Sequence, residues 1–516
     1  MLSGLMDTYT PKTLQRLLKG LAGIQSWGPD DIQVTGIAYH SGQVEPGQIF
    51  VALRGCQTDG HLFIDQAIQQ GAQVIVSEQD RPAYPGVINI KVPDTRLALA
   101  HLAAAFYDYP SQDLSIVGIT GTNGKTTTSY ILEAMMQAAG LKVGVIGTVN
   151  CRFDNQVRPA PVTTPESLDL QRLLREMQGR QITQVILEVS SHALDLKRTH
   201  HCRFAAAIFT NLSQDHLDYH GDLDRYFEAK SRLFTELLNN ECRPAPLAVI
   251  NRDDPRGAAL QRRTRVPTLT YGLNGHSDLC PESYHLSSQG LRACLATPYG
   301  RLEINSTLVG RHNLYNIMAA SGTALGLGLS PEAVVDGLRQ LAGVEGRLER
   351  LAAPGKPLVF IDYAHTPDAL EKVLTALRAL NFNRLITVFG CGGDRDRSKR
   401  PRMGQIAAQA SDLVIVTNDN PRTEDPLAII NQIEAGLHGG GHARLDPEEA
   451  LDASSGYLVI PDRRQAIFQA IELGQPGDAV LVAGKGHETY QIFGTHRVHF
   501  DDREVARQAL RGQCHS

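Results

Sequence analysis

An α/β fold in three domains is predicted by three features of this chain: its length, its alternation of apolar β-rich runs with helical patterns, and one glycine-rich loop between a strand and a helix. At 516 residues the chain exceeds what one hydrophobic core supports, and at about 150 residues per domain three units are expected. Apolar runs alternating with helices point to doubly wound, mostly parallel sheets. The loop Gly121-Thr-Asn-Gly-Lys-Thr-Thr127 marks the central unit as a P-loop-type domain.

Residues 1–111 read as a smaller N-terminal α/β unit. Leu14, Leu17, Leu18 and Leu21 carry a helical pattern, and 34–40 and 48–53 read as strands. A helix over 64–70, a strand over 74–77 and a helix over 96–107 follow, with Tyr109-Pro-Ser-Gln as a linker. Residues 112–345 hold the glycine loop and further strands at 143–146, 184–189, 205–209 and 247–250. Gly343-Val-Glu-Gly-Arg-Leu-Glu-Arg350 marks the next boundary. Residues 346–516 alternate again, with strands at 358–361, 385–389, 413–417 and 479–482, as a C-terminal Rossmann-like α/β domain.

Composition narrows the function classes. Charged residues make up 20% and hydrophobic ones 42%, ordinary for a soluble globular protein. A formal net charge of −5 argues against nucleic acid as the main partner, since a polyanion needs a basic surface. One Trp and 6% aromatics leave few platforms for stacking bases. The eight cysteines are scattered without a C-x-x-C pair, which fits reduced thiols better than a disulfide frame or a zinc site. A signal-peptide pattern and an apolar run of membrane-spanning length are both lacking, so a cytoplasmic location is expected.

The chemistry concentrates at predicted strand ends. At 121–127, glycines let backbone N–H groups close on a phosphate, and the helix N-terminus adds partial positive charge. Lys125 would reach the β/γ-phosphates and the Thr126 hydroxyl would sit on Mg²⁺. The strict P-loop pattern asks for glycine where this chain has Ile119. Glu188-Val-Ser-Ser-His192 and Thr210-Asn-Leu-Ser-Gln-Asp-His216 end the neighbouring strands. Glu188 is the natural ligand for a hard cation on ATP and His216 the less typical one, although solvated polar loops would look alike. Lys230, alone on a helical pattern, reads locally as solvent-exposed.

Four loops follow strands of the last unit. Asp362-Tyr-Ala-His-Thr-Pro-Asp368 opens a helix at Pro367 and suits a nucleotide or metal contact, or equally an Asx turn with a cap. Gly390-Cys-Gly-Gly-Asp-Arg395 and its basic continuation suit an anion, as would a simple glycine turn beside solvated charges. Thr417-Asn-Asp-Asn-Pro-Arg422 offers a guanidinium for bidentate carboxylate binding. Gly484-Lys-Gly-His-Glu488 completes the set. One crevice lined by all four is expected.

Together these residues resemble the Mur ligase family over nearly the whole chain. The resemblance rests on the loops above and on His312-Asn-Leu-Tyr-Asn316. It implies a ligase that uses ATP to add an amino acid to UDP-MurNAc-L-Ala-D-Glu through an acyl phosphate, in peptidoglycan precursor synthesis. It implies ATP binding by Gly121, Thr122, Asn123, Gly124, Lys125, Thr126 and Thr127 with Asn313, Asn316, Asp362 and His365. Lys125, His216 and Lys230 become the catalytic set. Mg²⁺ would be held by Thr126, Glu188, His216 and a Lys230 carbamylated by CO₂ or bicarbonate, a reaction that the ordinary lysine pKa of roughly 10 opposes unless the site lowers it.

By the same resemblance Thr163, Thr164, Ser190 and Arg198 hold the UDP-sugar-peptide, and Tyr39, Ser41, Cys56, Gln57 and Thr58 form its uridine pocket. The family often reads Asp-Ser-Arg where this chain has His40-Ser41-Gly42. Asp419, Asn420, Pro421 and Arg422, with Arg395, Gly484 and Glu488, resemble the residues of members that add meso-diaminopimelate rather than L-lysine. A guanidinium attracts the extra carboxylate of diaminopimelate and repels the bare ammonium of lysine. The expected partners are these small molecules acting on a monomer, with no nucleic acid and no membrane span. The rival readings are lysine addition by the same ligase, a folylpolyglutamate synthetase-like ligase, and a P-loop NTPase switch.

Overall fold

A computed structural model describes residues 10–27, 29–55, 58–80, 82, 84–238, 245–451 and 453–512. Cys56 and Gln57 lie outside the described residues.

The N-terminal unit carries a five-stranded sheet in the order Gln25–Trp27, Ile88–Lys91, Val74–Ser77, Ile49–Val51, Ile37–Ala38. Only the Gln25–Trp27 edge runs antiparallel. The single strand expected over 34–40 is split. Gln33–Val34 pairs with Lys12–Thr13 in a separate ribbon, and Ile37–Ala38 joins the main sheet. The chain steps between the two at Thr35-Gly36, where Thr35 N–H donates to Gly47 O and Gly36 O accepts from Ile49 N–H.

The central sheet has eight strands, in the order Gln156–Pro159, Asn150–Phe153, Val143–Ile146, Gln184–Glu188, Ser115–Thr120, Phe204–Phe209, Leu247–Asn251, Thr268–Tyr271. All pairings are parallel except at the 150–159 hairpin. The phosphate-loop strand Ser115–Thr120 is therefore flanked by the strands that end in Glu188 and Phe209. Helices Lys125–Ala138, Arg311–Gly326 and Pro331–Gln340 cover one face. Ile131, Leu132, Met135 and Met136 of the first have no exposed surface, each such burial contributing about 1.5–3 kcal/mol. The other face packs against helix Ser167–Gly179 and the aromatic residues Phe227 and Phe234.

Sequence reasoning missed a three-stranded antiparallel sheet of Cys280–Ser287, Gly290–Thr297 and Gly300–Ser306. Its buried residues Leu291, Leu295, Leu302 and Ile304 alternate with exposed ones and join the central core. The C-terminal sheet runs Glu349–Leu351, Leu358–Asp362, Ala479–Ala483, Leu385–Phe389, Leu413–Val416, Gly456–Val459, parallel except at its first strand. Its four loop-bearing strands are thus consecutive neighbours with their carboxyl ends on one side. Helix Pro367–Arg378 starts where Pro367 was expected to open it, and the Thr366 side chain caps it by accepting from Ala369 N–H. A final hairpin, Tyr490–Phe493 with His496–His499, precedes helix Asp502–Leu510.

Candidate functional site

The phosphate loop leaves strand Ser115–Thr120 and enters helix Lys125–Ala138 through Gly124, whose φ is +88°. A Cβ at Gly124 would run into the Asn316 side-chain oxygen, so the turn and the approach of Asn316 both require glycine. Asn316 Nδ2 donates to Asn313 Oδ1 at 3.0 Å, and Asn313 Nδ2 donates to Val309 O at 2.8 Å. Asn316 therefore meets the phosphate loop from helix Arg311–Gly326, and Asn313 stands behind it. Lys125 Nζ lies over its own loop, donating to Gly121 O and Thr122 O at 2.9 Å each.

Glu188 is buried at the end of its strand, with 1% exposure. Its carboxylate accepts from Thr126 Oγ1 at 3.1 Å and Thr148 Oγ1 at 2.7 Å. A dry carboxylate facing hydroxyls beside a phosphate loop fits a hard divalent cation. Among the described residues no three His, Cys, Asp or Glu side chains converge as a metal centre. A cation held by Thr126 and Glu188 would be free to take further oxygens from nucleotide phosphates and water.

Lys230 corrects the local expectation of an exposed side chain: it is 2% exposed. Helix Leu223–Arg232 turns it inward together with Tyr226, Phe227 and Ala229. Its Nζ donates to Gly121 O at 2.9 Å and stands 4.6 Å above the Tyr226 ring, one helical turn earlier. Burial, reinforced by the Lys125 charge and opposed by Asp215, holds this amine well below the ordinary lysine range. Burial also lowers Lys125, against the attraction of Glu188 and Asp215. His216 adopts a left-handed backbone, φ +54°, with Nε2 3.5 Å from Asp215 and its ring 4.9 Å from that of His192. Burial lowers its imidazole; Asp215 opposes this, while Lys125 and Lys230 reinforce it. Lys125, Lys230, His216, Glu188 and Asp215 thus share one electrostatic neighbourhood.

The residues expected to hold the UDP-sugar-peptide wrap the same strand end. Thr164 Oγ1 donates to Glu188 O at 2.8 Å and accepts from Ser190 N–H at 3.0 Å. Arg198 Nη1 donates to Thr164 O at 3.1 Å, and Thr163 Oγ1 lies 3.1 Å from Thr148 Oγ1. In the N-terminal unit, Tyr39 donates its hydroxyl to Asp169 at 2.6 Å across the domain boundary, and Ser41 Oγ donates to Gln66 at 2.9 Å. Thr58 is exposed, its carbonyl accepting from Gly55 N–H.

The C-terminal loops adjoin, the Tyr363 ring lying 4.9 Å from that of His487. Asp362 accepts from Leu348 N–H at 2.7 Å and Ala364 N–H at 2.8 Å. Its carboxylate therefore clasps the interdomain segment, the Asx-turn alternative of the local reading. His365 is exposed, with Nδ1 2.8 Å from Tyr363 O. The other predicted residues converge further along the sheet. Lys485, fully buried, joins Asp419 at 3.3 Å, Asn420 Oδ1 at 3.2 Å and Glu488 at 3.3 Å. Asn420 Nδ2 donates to Glu488 at 3.0 Å. Gly484, at φ +117°, would place a Cβ 3.3 Å from the Asp419 carboxylate. Arg422, partly exposed beyond buried Pro421, donates to Gly393 O at 2.6 Å. Arg395 stays in solvent, donating to Asp394 O.

Three contributors escaped sequence reasoning. Arg347, in the run that marked the domain boundary, brings Nη2 to 3.5 Å from Thr126 Oγ1 and lies 4.9 Å over the Tyr363 ring. Asp368 accepts from Asn123 Nδ2 at 3.3 Å and Ser213 Oγ at 3.0 Å, joining the C-terminal domain to the phosphate loop. Lys485 stood inside a quoted motif without a role. Its charge hinted at one, but only the fold shows that the cation is buried.

Residues 33–107 match the family profile described as Mur ligase family, catalytic domain; residues 119–324 match the Mur ligase middle domain, and 346–486 the Mur ligase, glutamate ligase domain. The chain is 47% identical over 501 residues to the UDP-N-acetylmuramoyl-L-alanyl-D-glutamate--2,6-diaminopimelate ligase of Geobacter metallireducens, covering 96% of this chain and 98% of that one. The protein of the same name from Gloeobacter violaceus is 45% identical over 490 residues, covering 95% and 96%. A solved structure of a ligase of that name superposes with a TM-score of 0.70 at 33% identity, covering 98% of this chain and 100% of that chain. The Mycobacterium tuberculosis folylpolyglutamate synthase bound to ADP and AMPPCP, 19% identical with a TM-score of 0.60, covers 81% of this chain and 96% of its own and shares the fold. The chain belongs to the Mur ligase family.

Proposed function

We propose that this protein is the ATP-dependent ligase that joins meso-diaminopimelate to the D-Glu side-chain carboxylate of UDP-MurNAc-L-Ala-D-Glu, acting in the cytoplasm on a peptidoglycan precursor. The observation that carries this reading is the contact of Asn420 with Glu488, together with the Arg422 guanidinium on Gly393 of the loop that follows the strand lying between theirs. A guanidinium suits the distal carboxylate of diaminopimelate, and Glu488 suits an ammonium. The names of the relatives support the same substrate.

The reaction needs a carboxylate turned into an acyl donor. A D-Glu carboxylate oxygen attacks the γ-phosphorus of ATP, the bond to ADP breaks, and an acyl phosphate forms. The diaminopimelate amine then attacks the acyl carbon, phosphate leaves, and the amide nitrogen gives up a proton. Lys125 and the loop amides neutralise phosphate charge as it shifts, and the Thr164–Ser190–Arg198 lattice fixes the peptide beside Glu188. Thr126 and Glu188 would hold a Mg²⁺, with His216 beside them, and the ion would supply charge neutralisation at the phosphate oxygens.

Lys230 deepens this reading. Burial beside Lys125 favours its uncharged form, and an uncharged amine can attack CO₂, forming an N–C bond and releasing one proton. Such a carbamate would replace a cation with an oxygen donor able to hold a second Mg²⁺. A switch-type NTPase is the rival reading, and it predicts ATP hydrolysis independent of the muropeptide.

The acyl phosphate is tested with ¹⁸O in the D-Glu side-chain carboxylate. One label must appear in released phosphate; unlabelled phosphate would contradict the mechanism.

A further inference from the structure

The hairpin Tyr490–Phe493/His496–His499 belongs to neither the sheet nor the motifs, yet it contacts Asp419, Asn420 and Arg422 of the loop 419–422. Arg422 sits at φ +53°, a left-handed conformation that costs an L-residue other than glycine free energy and persists where its surroundings hold it. Both of its backbone groups are engaged by the hairpin: Arg422 N–H donates to Ile492 O at 3.0 Å, and Arg422 O accepts from Gly494 N–H at 2.7 Å. Asn420 Oδ1 accepts from Ile492 N–H at 3.1 Å. Gln491, 6% exposed, donates its amide to Asp419 O at 2.8 Å. On the outer side Arg497 stacks 3.5 Å over the Tyr490 ring, and Phe500 N–H closes the hairpin base on Thr489 O at 3.0 Å.

We infer that this hairpin is a positioning clamp for amino-acid selection, with Gln491 its principal side chain. It holds the backbone of 419–422 in the one conformation that aims the Arg422 guanidinium across Gly393. Gln491 touches no reacting atom; it acts through the Asp419 carbonyl, beside Ile492 and Gly494, which hold the Arg422 backbone. This rests on the diaminopimelate reading of the same site. Loss of the clamp lets Arg422 leave its left-handed conformation. Recognition of the distal carboxylate then weakens, whereas the nucleotide loop, in another domain, is untouched. L-Lysine, which lacks that carboxylate, gains relative to diaminopimelate.

The test uses the full chain carrying Gln491→Met, which keeps the volume and removes the donor. Wild-type turnover with diaminopimelate is established first; its absence would sink the substrate assignment itself, separately from the clamp. Given that turnover, Gln491→Met is expected to raise the diaminopimelate KM about tenfold, the scale of one buried carbonyl left unpaired. The KM values for ATP and the UDP-sugar-peptide stay within about twofold, and the diaminopimelate-to-lysine ratio of kcat/KM falls. Arg497→Ala, on the exposed outer strand, loosens the hairpin without touching the loop. It is expected to move the same two quantities in the same direction by about threefold, and it carries the test if Gln491→Met does not fold. Equal changes in all three KM values, or an unchanged discrimination ratio in a folded variant, would overturn the clamp.

Discussion

Lys230 Nζ donates to the carbonyl of Gly121 across 2.9 Å, joining a helix to the first residue of a phosphate loop 109 positions earlier. Two lysines, Lys125 and Lys230, thereby share one carbonyl. Their mutual repulsion adds to the burial that depresses Lys230. Removing the Lys230 amine by Lys230→Met should preserve the packing of the side chain and lower kcat at least about 100-fold, the scale of losing one electrostatic group in a preorganised site. In ¹³C-bicarbonate the wild type should show a carbamate carbon resonance that Lys230→Met lacks; identical spectra would remove the carbamate from the account.

Arg422→Ala should weaken diaminopimelate specifically. The guanidinium is only partly buried, so the low end for truncating a charge-paired contact applies, about 2 kcal/mol or about 30-fold in diaminopimelate KM. ATP affinity should change by less than about twofold. Steady-state titration of each substrate in turn checks this, and equal losses would deny Arg422 a role in selection.

Acid should loosen the N-terminal unit through His101. This ring is 5% exposed, its Nε2 has no hydrogen-bond partner, and its centroid lies 5.1 Å from that of His201. Burial, opposed by backbone carbonyls at Lys19 and Leu17, lowers its pKa below the ordinary value. As pH falls through the unfolded-state value of about 6.5, the unfolded chain takes up the proton first, and stability drops until the folded-state pKa is reached. Above that window the ring contributes no pH dependence. Tm should therefore fall between pH 7 and 5, with a shallower slope in His101→Gln; matching slopes would exclude His101 as the source.

Arg463 and Asp502 form an ion pair with both side chains wholly buried, through two contacts of 2.7 Å. Arg463 also donates to Ala483 O, beside Gly484. Asp502→Ala leaves an uncompensated buried cation and should cost about 3–5 kcal/mol, read as a lower urea midpoint. No shift in the midpoint would show that the C-terminal domain relaxes around the charge.

Much of this was legible in the primary structure because it is local. The phosphate loop, the parallel strands and the helix at Pro367 follow from glycine placement, apolar runs and a proline cap over a few residues each. The antiparallel sheet of 280–306 was not legible, because short alternating runs broken at Gly290 and Gly300 look like polar loops until a core exists for Leu295 and Ile304 to join. Lys230, Lys485 and Arg347 were opaque for a related reason. The setting of a cation depends on partners more than 60 residues away, such as Gly121 for buried Lys230, Asp419 for buried Lys485 and Thr126 for half-buried Arg347. The clasp of Asp362 on Leu348 shows the opposite case, a residue that fits a ligand by type and is engaged by the chain's own backbone.

The most direct test of the central claim measures phosphate release and product mass with ATP, UDP-MurNAc-L-Ala-D-Glu and either meso-diaminopimelate or L-lysine. Phosphate release and a mass gain of one residue with diaminopimelate, and not with lysine, is the predicted result. Turnover with lysine alone would contradict the role given to Arg422, and release that needs neither amino acid nor muropeptide would contradict the ligase itself.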